Sequence, residues 1–153
     1  MCIVKMVNDP YNNESSIFNL IHYALTDKQT GKTVRYCGGY NVEFCRASEQ
    51  MVLVKQYFNK WDGRKMRHLI VSFDEDITAY DAYVLGWQIA AYYGNRYQIV
   101  FGVHEDTENT HIHFVFNTVS FVDGLKYSGA KGDMTNLTAY ANSVLNKRIS
   151  MKI

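Results

Sequence analysis

Residues 97–119 read YQIVFGVHEDTENTHIHFVFNTV, and the alternation within this stretch decides the fold. In its first half Tyr97, Ile99, Phe101 and Val103 alternate with Gln98, Val100, Gly102 and His104. In its second half Ile112, Phe114 and Phe116 alternate with His111, His113, Val115 and Asn117. A period of two is the signature of a strand, so Tyr97–His104 and His111–Val119 are predicted as two strands, each with an apolar face and a histidine-bearing face. With residues 105–110 as the hairpin turn, His104 and His111 stand opposite one another across the ladder. His113, two positions along, shares their face.

The elements on either side follow from the same kind of reading. Cys2–Val7 is predicted as a first strand, stopped by the turn-forming NDPYNN. A helix opens at Ser15 or Ser16, with Ile17, Leu20, Ile21, Ala24 and Leu25 as its buried stripe and Tyr23 off it. After the loop DKQTGKT, residues 34–43 read as a strand interrupted by Gly38 and Gly39. A helix is predicted from Ala47 to Trp61 with Met51, Val54, Phe58 and Trp61 inward, then a strand over Arg67–Asp74 in which Leu69, Val71 and Phe73 alternate with His68, Ile70 and Ser72. Thr78 and Asp81 form a capping-box-like helix start and Gly94 a stop. A last helix runs from Thr135 to Arg148 on Leu137, Tyr140, Ala141, Val144 and Leu145. The order β-α-β-α-β-α-β-β-α implies an α+β fold, a central antiparallel sheet of about five strands covered by helices, with residues 1–153 as a single domain.

Composition narrows the functional classes. The 153 residues suffice for a real core, and a single proline with an ordinary apolar share argues against long disordered tracts. Three cysteines, Cys2, Cys37 and Cys45, have no metal-ligand spacing and cannot all pair, which suits a reducing cytoplasm. No stretch approaches the ~20 apolar residues that span a bilayer, so no membrane role is expected. A net charge of +1 does not announce a nucleic-acid binder. Any basic surface must be local, around Lys60, Arg64, Lys65 and Arg67 or around Lys126 and Lys131. Twelve tyrosines suit either a β-rich core or stacking on unpaired bases.

Three imidazoles on one sheet face leave coordination positions open for water or substrate. That is the form of a catalytic metal site, since structural sites are usually closed by four protein ligands. Imidazole suits Mn, Fe, Co, Ni, Cu or Zn better than Mg or Ca. Glu105 and Asp106, beside the site, are placed either to hold a ligand ring nitrogen or simply to form the turn. Ser72 and His68 reach the histidine face if their strand lies next to the hairpin, and otherwise take core or edge roles.

Taken together, RHLIVSF, YQIVFGVHEDTENTHIHFVFNTVSFVDGLKY and the upstream NLIHYALTDKQTGK resemble the relaxase/mobilisation nucleases of plasmids and integrative elements, within the His-hydrophobic-His endonuclease superfamily. The resemblance implies a metal-dependent, site- and strand-specific DNA nickase that joins a tyrosine to a 5′ phosphate at an origin of transfer. It implies a metal triad of His104, His111 and His113, with Mn or Mg preferred and Zn, Ni or Co possible. Asp106 and Asn117 match its supporting acid and asparagine, Tyr23 its nucleophile and Ser72 its middle-motif serine, and His68 resembles the histidine that often precedes that serine. His22 is the alternative nucleophile; Tyr11 and Tyr127 are lesser rivals. The DNA contacts are expected at Ser72, His68, Lys126, Tyr127, Lys131, Arg64 and Arg67. Single-stranded or hairpin DNA is the expected partner, with accessory relaxosome proteins, in the cytoplasm. Asn109-Thr110 departs from the proline or histidine that many members carry before the histidine pair. Two other functions fit the same residues: a rolling-circle replication initiator or related transposase, and a non-catalytic module that binds origin DNA.

Overall fold

The computed structural model describes residues 1–74, 76–105 and 108–152. Its elements are β1 (Cys2–Met6), α1 (Ser15–Leu25), β2 (Cys37–Tyr40), a 3-10 turn at Phe44–Arg46, α2 (Ala47–Tyr57), β3 (Met66–Phe73), α3 (Ala79–Tyr93), β4 (Ile99–His104), β5 (His111–Asn117) and α4 (Asp133–Ser150). The five strands form one antiparallel sheet in the order β1-β3-β5-β4-β2, so the fold is α+β as the alternation predicts.

The hairpin pairs in the expected register, with His104 opposite His111 and Gly102 opposite His113. Its apolar side, Ile99, Phe101, Val103, Ile112, Phe114 and Phe116, joins Leu69, Val71 and Phe73 of β3 beneath α3 and α4. Fully burying side chains of this size stabilises by ~1.5–3 kcal/mol each. On the other face a smaller core forms where Met66, Val100 and Val115 meet the α1 stripe of Ile17, Leu20, Ile21, Ala24 and Leu25. The two helix pairs thus sandwich the sheet, and α1 lies on the face that carries the histidines.

Several boundaries differ from the sequence expectation. The strand over 34–43 pairs only at Cys37–Tyr40. The last helix is longer, Asp133–Ser150, with Tyr140 and Val144 half-buried. The largest departure is α2, which ends at Tyr57 rather than at Trp61. Asn59 there adopts a left-handed conformation at φ 53, and Lys60 N–H closes onto the Lys55 carbonyl at 2.9 Å, a Schellman-type ending.

With that ending the buried positions of α2 are Ala47, Met51 and Lys55. A lysine in this place requires partners, because an isolated buried ammonium is very costly. Lys55 Nζ donates to the Lys65 carbonyl at 2.6 Å, to Asn117 Oδ1 at 2.6 Å and to Thr118 Oγ1 at 3.4 Å. Asn117 is itself fixed by donating to Met51 O and Gln98 Oε1. Lys55→Ala removes the charged donor from Asn117 Oδ1 and the Lys65 carbonyl, leaving them only the weaker backbone donors Val119 N–H at 3.1 Å and Thr118 N–H at 3.4 Å, and opens a void in the interior. It is expected to cost about 3 kcal/mol in urea denaturation at pH 7. Burial, then Lys126 and Lys65, push the ammonium down to about 7 from 10.5. The unfolded chain therefore binds more protons between those values, so wild-type stability gains a rising slope from about pH 7 upward that the variant lacks. Equal midpoints for the two proteins would contradict this account of Lys55.

Candidate metal and nucleophile site

One nitrogen from each of His104, His111 and His113 lies within 4.8 Å of the other two. The sheet produces this arrangement directly. His104 and His111 are cross-strand partners, and His113 follows two residues along β5. His104 and His113 are 2% and 3% exposed, whereas His111 is half-buried and opens the cluster to solvent.

Hydrogen bonds orient the rings. His104 Nε2 lies 2.7 Å from the Ala24 carbonyl. A carbonyl only accepts, so Nε2 carries the proton and Nδ1 is the acceptor nitrogen of the ring. By the same reasoning His111 Nδ1 donates to the Asn109 carbonyl at 3.1 Å and leaves Nε2 as donor to a cation. His113 Nδ1 lies 2.8 Å from His68 Nε2, and His68 Nδ1 lies 3.2 Å from the Tyr11 hydroxyl. His113 Nδ1 donating to His68, with His68 donating on to Tyr11, again leaves Nε2 of His113 for a metal. This is the outer hydrogen-bonding that metal-ligating histidines ordinarily have. Three imidazoles on a common sheet face fit a divalent transition metal with open positions.

The same environment keeps the His68 and His113 rings neutral. Burial, then the neighbouring His104, lowers His68 to about 4, and burial followed by His104, His68 and His111 lowers His113 to about 2. Both are held below the 6.5 of the unfolded chain, so that chain takes up more protons as pH falls past 6.5. Stability therefore rises with pH in that window and falls with acid. The metal-free protein is expected to lose on the order of 4 kcal/mol between pH 7 and pH 5, about 2 from each of the two histidines. Urea titrations at both values test this, and a flat profile contradicts the buried neutral cluster.

Tyr23 reaches the cluster from α1. Its ring sits edge-on to His113 at 5.2 Å, edge-on to His68 at 5.9 Å and stacked near His104 at 6.5 Å. It remains 39% exposed, and Lys28 Nζ lies 4.9 Å from its ring centroid. What lets α1 come so close is Gly102: a Cβ there would overlap the Ala24 carbonyl oxygen. Gly102 thus permits both the His104 hydrogen bond and the placing of Tyr23, one residue before Ala24.

Other expected site residues divide cleanly. His22 turns away, its ring stacked on Phe18 at 5.8 Å and Nδ1 3.5 Å from Thr26 Oγ1. Ser72 lies opposite His111 in the sheet and Ile70 opposite His113, so the β3 face continues the histidine face. Asn117 does not support the histidines. It belongs to the Lys55 network, four residues along β5 from His113, because its amide is committed to Met51, Gln98 and Lys55. Asp106 lies outside the described residues, and Glu105 is exposed with Arg35 3.4 Å away.

Arg64, Arg67, Lys126 and Tyr127 gather at the other end of β3. The Arg67 guanidinium lies 5.3 Å from the Tyr127 ring, and Lys126 donates to the Asp62 carbonyl. Tyr127 donates to Asp133, and burial, then that carboxylate, pushes its phenol up to about 12, which makes it a poor nucleophile. Lys131 is exposed in the turn ahead of α4. Sequence reasoning missed Tyr11 as the far end of the His113–His68 chain, and it missed the part played by Gly102. Neither carries a local signal, since both depend on which strand and helix become neighbours.

Known proteins share this arrangement of elements. The chain is 23% identical over 112 residues to "Protein rlx" of Staphylococcus aureus, a match that takes in 68% of this chain and 34% of that protein. It thus spans about a third of the length of that relative. A solved structure described as "Molecular Basis of Vancomycin Resistance Transfer in Staphylococcus aureus" superposes with a TM-score of 0.68 at 11% identity, covering 99% of this chain and 94% of that one, which establishes the shared fold. The model of the MobA/VirD2-like relaxase nuclease domain matches residues 23–148, from the candidate nucleophile through α4, and the chain belongs to that relaxase family.

Proposed function

We propose that residues 1–153 work as the nicking domain of a mobilisation relaxase, cutting one DNA strand at an origin of transfer and holding its 5′ end on Tyr23. The observation that carries this reading is the ring of Tyr23 packed against His104 and His113 while still 39% exposed. The substrate would be single-stranded or hairpin DNA of a conjugative plasmid or integrative element, presented in the cytoplasm with accessory relaxosome proteins. No helix among the described residues is long and apolar enough to cross a membrane.

In the proposed reaction the Tyr23 oxygen forms a bond to phosphorus as the bond from phosphorus to the 3′ oxygen breaks. The phenol gives up its proton to solvent at the exposed mouth, and the 3′ oxygen takes one back. One phosphodiester is exchanged for another, so the step is reversible and conserves the energy for rejoining. A divalent ion held by His104, His111 and His113, with Mn or Mg preferred and Zn, Ni or Co as alternatives, would neutralise charge on the non-bridging oxygens. His68 and Tyr11 keep the His113 ring from turning, the Ala24 carbonyl does the same for His104, and Lys28 adds positive charge beside the phenol.

Arg64 and Arg67 support a path for the DNA backbone. Arg64 Nη1 and Arg67 Nε are buried with no hydrogen-bond partner among the described residues, two donors that phosphate oxygens would satisfy. Arg67 lies three residues along β3 from Ile70, about 10 Å at ~3.3 Å per residue, and Arg64 just precedes that strand, so they would hold phosphates other than the scissile one. Lys126, Tyr127 and Lys131 extend that end, and Ser72 would contact the strand near His111. The test is incubation of single-stranded origin oligonucleotides with a panel of divalent metals. Formation of an adduct that survives denaturation supports the reading, and tight binding without nicking under every metal would favour an origin-binding module.

A further inference from the structure

We infer that a pocket beside Tyr23 takes one unstacked nucleobase next to the scissile phosphate and prefers guanine; this rests on the strand-transfer reading above. The cavity, of about 570 Å³, shares Tyr23 and His68 with the histidine site, so whatever fills it is within one nucleotide of the phosphate that Tyr23 would attack. Its floor is apolar, from Leu20 and Ile70, and its rim carries Asp9 and Asn19. A carboxylate on the rim repels a phosphate, whereas an apolar slot walled by aromatic rings accepts the face of a base.

The aromatic wall is held in a conformation that a tyrosine does not adopt by default. Tyr11 has φ 40, in the left-handed region, where a bulky residue is uncommon. Three bonds hold it there. Asp9 Oδ1 accepts from Tyr11 N–H at 3.2 Å, Lys65 N–H donates to the Tyr11 carbonyl at 2.9 Å, and the Tyr11 hydroxyl rests 3.2 Å from His68. Strain kept in place by surrounding contacts is common where a group must be presented to a ligand. Here it presents a rigid ring toward the cavity, and through His68 it connects that ring to the metal histidine His113.

Base identity follows from the rim. An ionised carboxylate only accepts hydrogen bonds, and one oxygen of Asp9 is already turned to Tyr11 N–H. Of the four bases, guanine alone offers two adjacent donors, N1–H and the 2-amino group, on one edge. Adenine and cytosine offer a single amino group, and thymine a single imino hydrogen between two carbonyls. Asn19, one turn of α1 before Tyr23, supplies an amide able to donate to the guanine carbonyl.

The probes are a short all-thymidine single strand and the same strand carrying one central guanine, adenine or cytosine, measured by fluorescence anisotropy with manganese present. The guanine strand is expected to bind roughly tenfold tighter than the others, toward the lower end of what one two-point base contact supplies. Asp9→Ala should erase that preference. So should Asp9→Asn, whose amide oxygen still accepts from Tyr11 N–H but whose nitrogen now presents donors, and this second variant separates base reading from support of the turn. Equal binding of all four strands, or a guanine preference that survives both substitutions, overturns the pocket while leaving strand transfer intact. Failure of every single strand to bind overturns both.

Discussion

Tyr23→Phe is expected to abolish the covalent protein–DNA adduct, with strand cleavage falling on the order of a thousandfold or more, because only the attacking oxygen is removed. The substitution is mild for the fold. Tyr23 is 39% exposed, and the contacts its ring makes with His68, His104, His113 and Lys28 are all ones that a phenylalanine ring repeats. Stability should stay within ~0.5 kcal/mol of wild type and metal affinity should hold. A labelled single-stranded origin oligonucleotide, run on a denaturing gel after incubation with Mn, reads the result. An adduct that persists in Tyr23→Phe but vanishes in His22→Ala would move the nucleophile by one residue. The geometry argues against that outcome, since the His22 ring lies on Phe18 and makes no ring contact with the cluster.

Local periodicity accounts for the part of the fold that is legible in the amino-acid sequence. The 97–119 hairpin is legible because two alternating runs fix their own faces, and the histidines then fall on one side whatever the rest of the chain does. The α1 stripe is legible for the same reason, and it correctly leaves Tyr23 outside the core. Features that depend on distant pairing are not. Nothing near Lys55 in the chain says that it is buried, because its acceptors Asn117 and Thr118 lie 62 and 63 residues away. The same pairing holds Asn117 away from the candidate metal site to which family resemblance assigns it. Nor does the α2 sequence announce its stop, which depends on Asn59 accepting a left-handed backbone. His68 is on the expected face, but its bond to His113 requires β3 to be the neighbour of β5.

His113 is where these two kinds of information meet, and His113→Ala is expected to lower Mn affinity more than a hundredfold in calorimetric titration. The reasoning starts from ligand count: three imidazoles become two, and a site with only two protein ligands holds a divalent ion weakly. His113 is also the most connected ring of the set, with centroids 4.4 Å from His104, 5.0 Å from His111 and 5.0 Å from His68. Its loss therefore frees the neighbours as well as removing a lone pair. His68→Ala supplies the internal scale. It removes no ligand but releases the His113 ring, so it should cost about 10–100-fold in affinity, the ordinary effect of losing an outer hydrogen bond to a metal ligand. Tyr11→Phe, one step further out, should cost less again while leaving His68 in contact with His113. The ordering His113→Ala, His68→Ala, Tyr11→Phe is the diagnostic result. Wild-type Mn affinity in His113→Ala would exclude the triad as the metal site. Equal losses in the His68 and His113 variants would mean instead that His68 is a ligand in its own right.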